Sequence, residues 1–477
     1  METLAVGAFL TAFALELGAS NLIIGLLAAI PHLCQLAQLP AVLVLEKIRN
    51  RRLVYSISGL IARPMMLVIG GAAFLPAEHA IPVIVVAFTI RYLAGAFLSC
   101  SWNSWMRDLI PDESMGEIFG KRQQIMIGVG IVLTLIAAAF VDSWVEITNQ
   151  PQKYAFALVY GLSFIGGIYA MVAARNIEEP PMPDLDGASI NLREQLSKPF
   201  RDNNFRRVIM FLGSWNFAVN LAAPFFTVHM LKKMGLDVFT VMLFATMSQA
   251  IAYVTVSQWG NLADRFSNKA VLRACAPLFV LCIFLWTFTT MPDVHSMTIP
   301  LLVFIHIATG AASAGVTLAS GNLTLKLAPR GSATGYLSAS AMVNAAAAGT
   351  ASLIGGLTAD FFDTIELSVI IRWSAPNDVT DISALSLTHW DFFFMSATLF
   401  GLYSLHRLSL VVEQGHIDDT RALSILAQNA KQSLRSLSTI SGLRAASDFP
   451  IIELVKRLRK PGQKKNEDKD KDKDKKD

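Results

Sequence analysis

The chain has 477 residues, of which 53% are hydrophobic and only 16% are charged, and its formal net charge is +4. A soluble chain carries roughly 25% charged residues, so the composition excludes an ordinary soluble multidomain protein. The four cysteines all lie inside apolar blocks and form no CxxC pair, which argues against a disulfide framework or a zinc site. We therefore expect an integral membrane protein that holds no metal and no cofactor.

Long apolar blocks recur along the chain, and a helix needs about 20 such residues to cross roughly 30 Å of hydrocarbon. Glycine and alanine are frequent within them, as close helix packing in lipid requires. The sequence predicts an all-α membrane protein with twelve transmembrane helices, which we number span 1 to span 12. They lie near residues 3–17, 21–45, 53–75, 81–106, 119–141, 154–174, 207–230, 238–260, 270–291, 298–323, 333–359 and 388–408.

Span 1 is short, because its 15 residues reach only about 22 Å as a helix. We expect a start site upstream of Met1 in preference to a first helix that is incomplete. The segment lacks the basic region and the cleavage site of a signal peptide, so we do not expect its removal.

Lysine and arginine are distributed unevenly between the two sets of loops. One set carries 18 of them, whereas the opposite set carries only Lys153, Lys232, Lys233 and Arg372. Basic loops stay on the cytoplasmic side of a membrane. The pattern predicts a multi-pass protein of the cell membrane (the bacterial inner membrane) with both termini in the cytoplasm.

The longest linker between spans, 175–206, contains "EEPPMPDLDG" and divides the chain into two halves. We predict an N-terminal six-helix bundle over 1–174, a cytoplasmic linker over 175–206 and a C-terminal six-helix bundle over 207–408. The remaining tail, 409–477, begins with a segment that suits a surface amphipathic helix. It ends in "KKNEDKDKDKDKKD", a low-complexity run that we expect to be disordered.

The two halves contain a repeat at a constant offset of 218 residues. The aligned pairs are Glu46 with Asp264, Pro111 with Pro329, and Asp142 with Asp360. Separated landmarks at one offset, without gaps, indicate two pseudo-symmetric bundles. Parallel six-helix repeats of this kind are a transporter architecture.

The loop after span 8 reads "GNLADRFSNK" and resembles the G-x-L-A-D-R-x-G-R-K signature of the major facilitator superfamily. The matching residues are Gly260, Asp264, Arg265 and Lys269, while Ser267 and Asn268 depart from the pattern. In span 4, "IRYLAGA" resembles the R-x-x-Q-G pattern of the same family, with Arg91 and Gly95 in place. "WNSWMRDLIP" and "GEIFGKRQQ" also resemble uncharacterised bacterial members. Span 5 lacks the Gly-Pro pair of the antiporter signature, which argues against a drug/proton antiporter.

The resemblance covers about residues 1–408 and implies that spans 1, 4, 7 and 10 line a central cavity. Arg91 is the best candidate there, since a charge inside hydrocarbon normally marks a polar cavity. The alternative is that Arg91 extends to the membrane interface. The predicted cavity residues are Arg91, Gly95, Trp102, Asn103, Asn216, Asn220, His306 and Ser313, with His32, Gln35, Gln38, Thr317 and Asn344 as further candidates. For each Asn and Ser, a helix–helix hydrogen bond is the alternative role.

The resemblance also implies a contact between the halves that forms when the cytoplasmic side is closed. We expect Asp264 to meet the start of span 5 and Glu46 to meet the start of span 11, where helix dipoles favour a carboxylate. The residues of this predicted latch are Glu46, Gly260, Asp264, Arg265, Lys121 and Arg122, with Gly120, Gly331 and Ser332 at the two helix starts. A solvated loop charge is the alternative for Asp264.

Together these features predict a secondary transporter of a small polar or anionic organic solute, working by alternating access. Proton coupling stays open, because spans 4, 7 and 10 have no carboxylate at mid-depth and only His306 could titrate there. A non-transporting membrane sensor on the same scaffold is the alternative. The sequence shows no catalytic motif, so we do not expect an enzyme. The expected partners are the solute and the lipid bilayer, without nucleic acid, and we expect a monomer.

Overall fold

The structure is a computed structural model that describes residues 7–182, 192–290, 294–329, 333–362, 365–375 and 378–413. Nearly all of this part of the chain is helical. The helices are α1 Ala8–Glu16, α2 Asn21–Cys34, α3 Gln38–Ile48, α4 Arg51–Ala62, α5 Met65–Gly71, α6 Ala77–Leu109, α7 Asp112–Thr148, α8 Lys153–Ala174, α9 Leu192–Arg201, α10 Asn203–Val228, α11 Val238–Arg265, α12 Asn268–Leu285, α13 Thr298–Leu327, α14 Ala333–Phe362 and α15 His389–Ser409.

Ten helical segments within the described residues are long and apolar enough to cross a membrane. They correspond to spans 2 to 11, so the chain is a multi-pass membrane protein. Span 2 is formed by α2 and α3, and span 3 by α4 and α5. The shorter α1 and the final α15 occupy the positions of spans 1 and 12. The linker contributes α9, a short helix before the second half.

Polar side chains fix where several helices begin. Ser20 accepts a hydrogen bond from the backbone N–H of Ile23 at the start of α2, and Asp202 accepts two at the start of α10. These side chains satisfy donors that the first turn of a helix leaves unpaired. Pro64 separates α4 from α5, as expected for a residue that cannot donate to the helix ladder.

One β-hairpin adds to the predicted helical fold. Strands β1 Glu366–Ala375 and β2 Asp378–Thr388 pair antiparallel between α14 and α15, with an irregularity between Val369 and Ile370. The first half has only a short turn at this position. Helices α8 and α15 therefore end 235 residues apart, at Ala174 and Ser409, although the repeat offset before the hairpin is 218.

The two halves contact each other along α2 and α14 at very short range. A Cβ atom placed on Gly25 would lie 2.4 Å from the carbonyl oxygen of Ser352, and one on Gly356 would lie 2.8 Å from the carbonyl oxygen of Asn21. Only glycine permits such backbone contact. The second contact between halves runs along α7 and α11. Gly120 and Gly128 of α7 make no such close approach, since a Cβ on either would meet no atom within 4 Å.

Several predicted features lie outside the described residues. These are Gly331 and Ser332 at the start of span 11, and the tail from residue 414 onward, including the predicted amphipathic segment and the charged low-complexity end.

Candidate functional site

The halves meet at one end of the molecule, which we call the closed end, through two carboxylates at helix starts. The Asp360 side chain, near the end of α14, accepts hydrogen bonds from the backbone N–H groups of Asn21 (3.2 Å) and Leu22 (3.0 Å) at the start of α2. The positive end of the α2 dipole thus faces a negative charge from the other half.

Asp142 of the first half makes the equivalent contact to a helix start in the second half. Its carboxylate, near the end of α7, accepts hydrogen bonds from the N–H groups of Val238 (3.2 Å) and Phe239 (2.5 Å) at the start of α11. Gln152 donates a further one at 3.2 Å. Asp142 and Asp360 are one of the sequence pairs at offset 218, and the structure gives them equivalent partners.

At the opposite end, which we call the open end, the halves are apart. Asp264 is exposed and makes no hydrogen bond or ion pair with any described residue. Lys121 and Arg122, its predicted partners at the start of span 5, are also exposed. The Arg122 guanidinium lies instead 5.9 Å from the centroid of the Trp102 ring. In this conformation, the carboxylates of the closed end are engaged and Asp264 is not.

The other predicted latch residues also lie within their own halves. Arg265 is exposed and Glu46 is half-buried. A Cβ on Gly260 would lie 3.7 Å from Leu318, an ordinary contact with α13 of the same half. The approach of Gly260 to the other half stays a prediction.

A cavity of about 480 Å³ lies between α10, α13 and α14 in the second half, at the end where the halves are apart. The predicted residues Asn216, Thr317 and Asn344 line it. The complete lining is Leu212, Trp215, Asn216, Val316, Thr317, Ser320, Gly321, Thr324, Leu325, Leu337, Ser340, Ala341 and Asn344. Sequence reasoning missed Ser320 and Thr324, although they continue the Ser313–Thr317 stripe at the same helical spacing of three and four residues.

The predicted residues of span 4, which is α6 in the structure, do not line this cavity. Arg91 is only 5% exposed, and its guanidinium lies 4.7 Å from the centroid of the Tyr92 ring. Trp102 packs against Tyr55 and Trp105, with ring centroids 5.5 and 6.2 Å apart.

The remaining two positions of α6 are more open. A Cβ on Gly95 would meet nothing within 4 Å, so the space beside this helix is unfilled. Asn103 is exposed, and its amide donates to the Ser99 hydroxyl at 3.4 Å.

In the second half, the predicted residues divide between two faces. His306 is 9% exposed and stacks on Phe244 at 4.9 Å, within the bundle formed by α11, α12 and α13. Ser313 donates to the carbonyl of Gly310 in its own helix. The amide of Asn220 donates to the Asn216 carbonyl, and the Asn220 side chain lies beside His32 of the first half.

A buried network at the open end of the first half holds the segment after α8. The backbone N–H of Arg51 donates to Glu179 at 2.6 Å, and its side chain donates to Ser104 at 3.0 Å and to the Pro180 carbonyl at 3.1 Å. The same guanidinium forms an ion pair with Asp108. The chain after α8 is thereby tied to the ends of α4 and α6.

The second half has an equivalent network that holds the segment after α15. Glu413 accepts hydrogen bonds from the backbone N–H of Lys269 at 2.8 Å and from the Lys326 ammonium at 2.9 Å. Burial by itself would raise the pKa of the Glu413 carboxyl, but these bonds and one from Asn268 outweigh it and lower the pKa. Lys269 and Lys326 stand 218 residues after Arg51 and Asp108, so the two networks occupy equivalent places.

No group of three or more His, Cys, Asp or Glu side chains within the described ranges is arranged to hold a metal ion.

Comparison with known proteins gives the family and the fold. The sequence profile of the Major Facilitator Superfamily matches residues 1–252, more than half of the chain. No protein of curated function matches the sequence.

Among solved structures, a mutant form of the nucleoside transporter NupG has a TM-score of 0.59 at 15% identity, covering 85% of this chain and 96% of that chain. A POT family transporter in complex with a thioalcohol-conjugated peptide also has a TM-score of 0.59, at 10% identity, covering 85% and 94%. A bacterial homologue of the iron transporter ferroportin, in an inward-facing state, has a TM-score of 0.58 at 11% identity, covering 84% and 92%. At these identities the similarity shows a shared fold.

The matched profile, the shared fold and the repeated six-helix halves agree with the resemblance found in the loop after span 8. They confirm the predicted fold class, and they indicate a transporter and not an enzyme. The chain belongs to the Major Facilitator Superfamily of membrane transporters.

Proposed function

We propose that the protein is a secondary transporter that moves a small polar or anionic organic solute across the cell membrane by alternating access. One observation carries the proposal: the two halves are joined at the closed end by reciprocal carboxylate contacts and are apart at the open end, beside a cavity. A cavity that is accessible from one side only is what alternating access requires. The nucleoside and peptide transporters with this fold support a small organic solute.

The basic loops give the orientation of this proposal. The loops with 18 lysines and arginines lie at the open end, and basic loops stay in the cytoplasm. The conformation described is therefore inward-open, with both termini cytoplasmic. We take the transporting unit to be a monomer, since each chain contains both halves.

The outward-open state requires the open end to close. Asp264 then approaches the exposed residues Lys121 and Arg122, which lie beyond the first turns of α7, and Glu46 approaches the start of α14. The Asp142 and Asp360 contacts break in the same movement. Each state is thus held by carboxylates that reach the other half, and a contact at a helix start is worth up to about 2 kcal/mol.

Uptake by proteoliposomes tests the proposal. The purified protein, reconstituted in vesicles, should accumulate or equilibrate a labelled polar solute that empty vesicles exclude. Running the assay with and without a pH gradient tests proton coupling, since a facilitator gives equal initial rates in both. Binding of a solute without any uptake would contradict the proposal and favour the sensor.

The role of Asp264 has a separate test. Leu325, on the cavity wall and 57% exposed, can be replaced by cysteine as a reporter of the open end, in a Cys100→Ser background. Asp264→Asn weakens only the outward-open state, so labelling of this cysteine should become faster by up to about tenfold. Glu146→Gln, an exposed change near the closed end, is the matched control. Equal labelling in the Asp264→Asn and control backgrounds would remove Asp264 from the latch.

A further inference from the structure

We infer that the transported solute is uncharged, that it carries several hydroxyl or amide groups, and that it binds to the cavity wall formed by α10, α13 and α14. This inference rests on the proposed transport function and narrows its substrate class. It is carried by three features of the cavity: the absence of charge in its lining, two polar atoms without partners, and an apolar surface beside them.

Among the described residues that line it, the wall contains no charged side chain. Its thirteen residues include six with neutral polar side chains: Asn216, Thr317, Ser320, Thr324, Ser340 and Asn344. A carboxylate or phosphate in this position would give up water without gaining a cation, which is costly at membrane depth. Arg91 does not supply the cation to this wall, because it is 5% exposed and packs beside Tyr92 in the other half.

Two polar atoms of the wall are buried without a hydrogen-bond partner among the described residues. They are the hydroxyl oxygen of Ser320 and the amide oxygen of Asn344. By contrast, the Thr324 hydroxyl donates to the Ser320 carbonyl and the Asn216 amide donates to the Leu212 carbonyl. A buried polar atom without a partner costs about 1–3 kcal/mol, and most such atoms in proteins are paired. A solute with O–H or N–H groups would supply the missing partners.

The rest of the wall is apolar. Leu212, Trp215, Val316, Leu325 and Leu337 face the same cavity, and the Trp215 ring is fixed edge-on against Phe279 at 5.4 Å. A ligand there therefore has one edge that forms hydrogen bonds and one face that is apolar. The volume of about 480 Å³ suits a metabolite-sized molecule. A glycoside or a nucleoside without phosphate has this combination of groups.

Matched pairs of solutes test the inference. The full-length protein in detergent is titrated with uncharged sugars, nucleosides and amides, each paired with its phosphate or carboxylate analogue, and thermal shift reports binding. We expect shifts from the uncharged members, and at least tenfold weaker binding of the charged member of each pair. Proteoliposome uptake of the best ligand then links binding to transport.

Variants connect the result to the cavity. Ser320→Ala and Asn344→Ala should each weaken binding of an uncharged ligand about fivefold or more, because each removes one hydrogen bond. Ser396→Ala is the matched control, since that hydroxyl is already bonded to the Phe393 carbonyl in α15. The melting temperature without ligand shows that each variant is folded.

The outcomes separate this inference from the proposed function. Equal or tighter binding of the charged member of each pair, or no binding by any uncharged solute, overturns the inference, as does unchanged affinity in both cavity variants. Uptake of a charged solute would do so while leaving the transport function intact. Binding of uncharged solutes without uptake of any solute would overturn the transport function instead.

Discussion

The networks at the open ends of the two halves use equivalent positions with different charges. In the first half, Arg51 is paired with Asp108, and Glu179 accepts a hydrogen bond from the Arg51 backbone N–H. In the second half, the equivalents of Arg51 and Asp108 are both lysines, Lys269 and Lys326. The Glu413 carboxylate accepts a hydrogen bond from each of them.

The comparison shows that the repeat preserves contacts between helix ends and not the identity of the charges. In each half, a glutamate after the last helix accepts a hydrogen bond at the start of the third span, which begins with α4 in the first half and with α12 in the second. It thereby pairs an N–H group that the first turn leaves without a partner. Glu413 also neutralises a cation, whereas in the first half Asp108 does so. The stability of the second network should therefore depend mainly on Glu413, and that of the first network mainly on Arg51.

The largest effect that we predict comes from Arg51→Met. The arginine side chain is 2% exposed and joins Asp108, Ser104 and the Pro180 carbonyl, so its removal leaves several buried groups unpaired. We expect a loss of about 3 kcal/mol in the free energy of unfolding, measured by SDS titration in mixed micelles.

Substitutions of two other basic residues serve as comparisons for Arg51→Met. Lys269→Met should cost about 1 kcal/mol, because its ammonium donates to two backbone carbonyls, Ser409 and Val411, and the Glu413 contact to its backbone remains. Lys47→Met, at an exposed position, should change stability by less than about 0.5 kcal/mol. Equal losses for Arg51→Met and Lys269→Met would contradict the proposed difference between the networks.

For the two glutamates we expect the larger loss of stability in the second half, the reverse of the order for Arg51 and Lys269. Glu413→Gln leaves the Lys326 ammonium without its carboxylate and weakens the contact to the start of α12, and we expect a loss of about 2 kcal/mol. Glu179→Gln weakens one backbone contact and should cost about 1 kcal/mol. The same titration measures both, with Glu146→Gln as the exposed control. A larger loss from Glu179→Gln would rule out the single-carboxylate account of the second network.

The pH dependence of the Glu413 effect follows from the lowered pKa of its carboxyl. A group whose pKa is lower in the folded state stabilises the fold above its unfolded pKa, about 4.3 for glutamate. That stabilisation is lost as the pH falls through the lowered folded value. The stability difference between the wild type and Glu413→Gln should thus be constant from pH 7 to pH 5 and shrink below about pH 4. A difference that persists unchanged to pH 3 would argue against an ionic contribution.

The smallest effects should come from the closed end, where the halves also differ. Asp142→Asn and Asp360→Asn each remove a charge from a helix start, worth about 1 kcal/mol or about fivefold in the ratio of the two conformations. Asp142→Asn should favour the outward-open state more, because α2 and α14 keep their contact at Gly25.

Labelling from outside the membrane of a cysteine at Asn220, which lies next to His32 of the other half, measures this ratio. Faster labelling in Asp360→Asn than in Asp142→Asn would reverse the predicted order. The Glu146→Gln background should label at the wild-type rate.

Much of the fold could be predicted because membrane spans are local signals. Spans 2 to 11 follow from apolar length alone, and the 218-residue offset correctly paired Asp142 with Asp360. The hairpin was not predicted, although its sequence, "ELSVIIRWSAPNDVTDISALSLT", contains β-branched residues on both sides of a Pro-Asn-Asp sequence typical of turns.

The cavity was harder to predict, because α13 is apolar around most of its circumference and no periodicity identifies its inward face. The polar stripe from His306 to Thr317 therefore predicts one surface. In the structure, its first part packs against α11, where Gly310 would place a Cβ 2.5 Å from the Ser248 carbonyl, and its last part lines the cavity. The contacts of Glu179 and Glu413 join residues far apart in the chain, and no local pattern marks them.

The glycine contact between α2 and α14 has an electrical consequence. A backbone approach that leaves no room for a methyl group at Gly25 leaves none for a hydrated ion. Across an energised membrane, each elementary charge that leaks through a potential of 100 mV dissipates about 2.3 kcal/mol. Gly25 and Gly356 therefore make this part of the closed end impermeable to ions. Water can then fill the cavity from one side without an ion leak across the membrane.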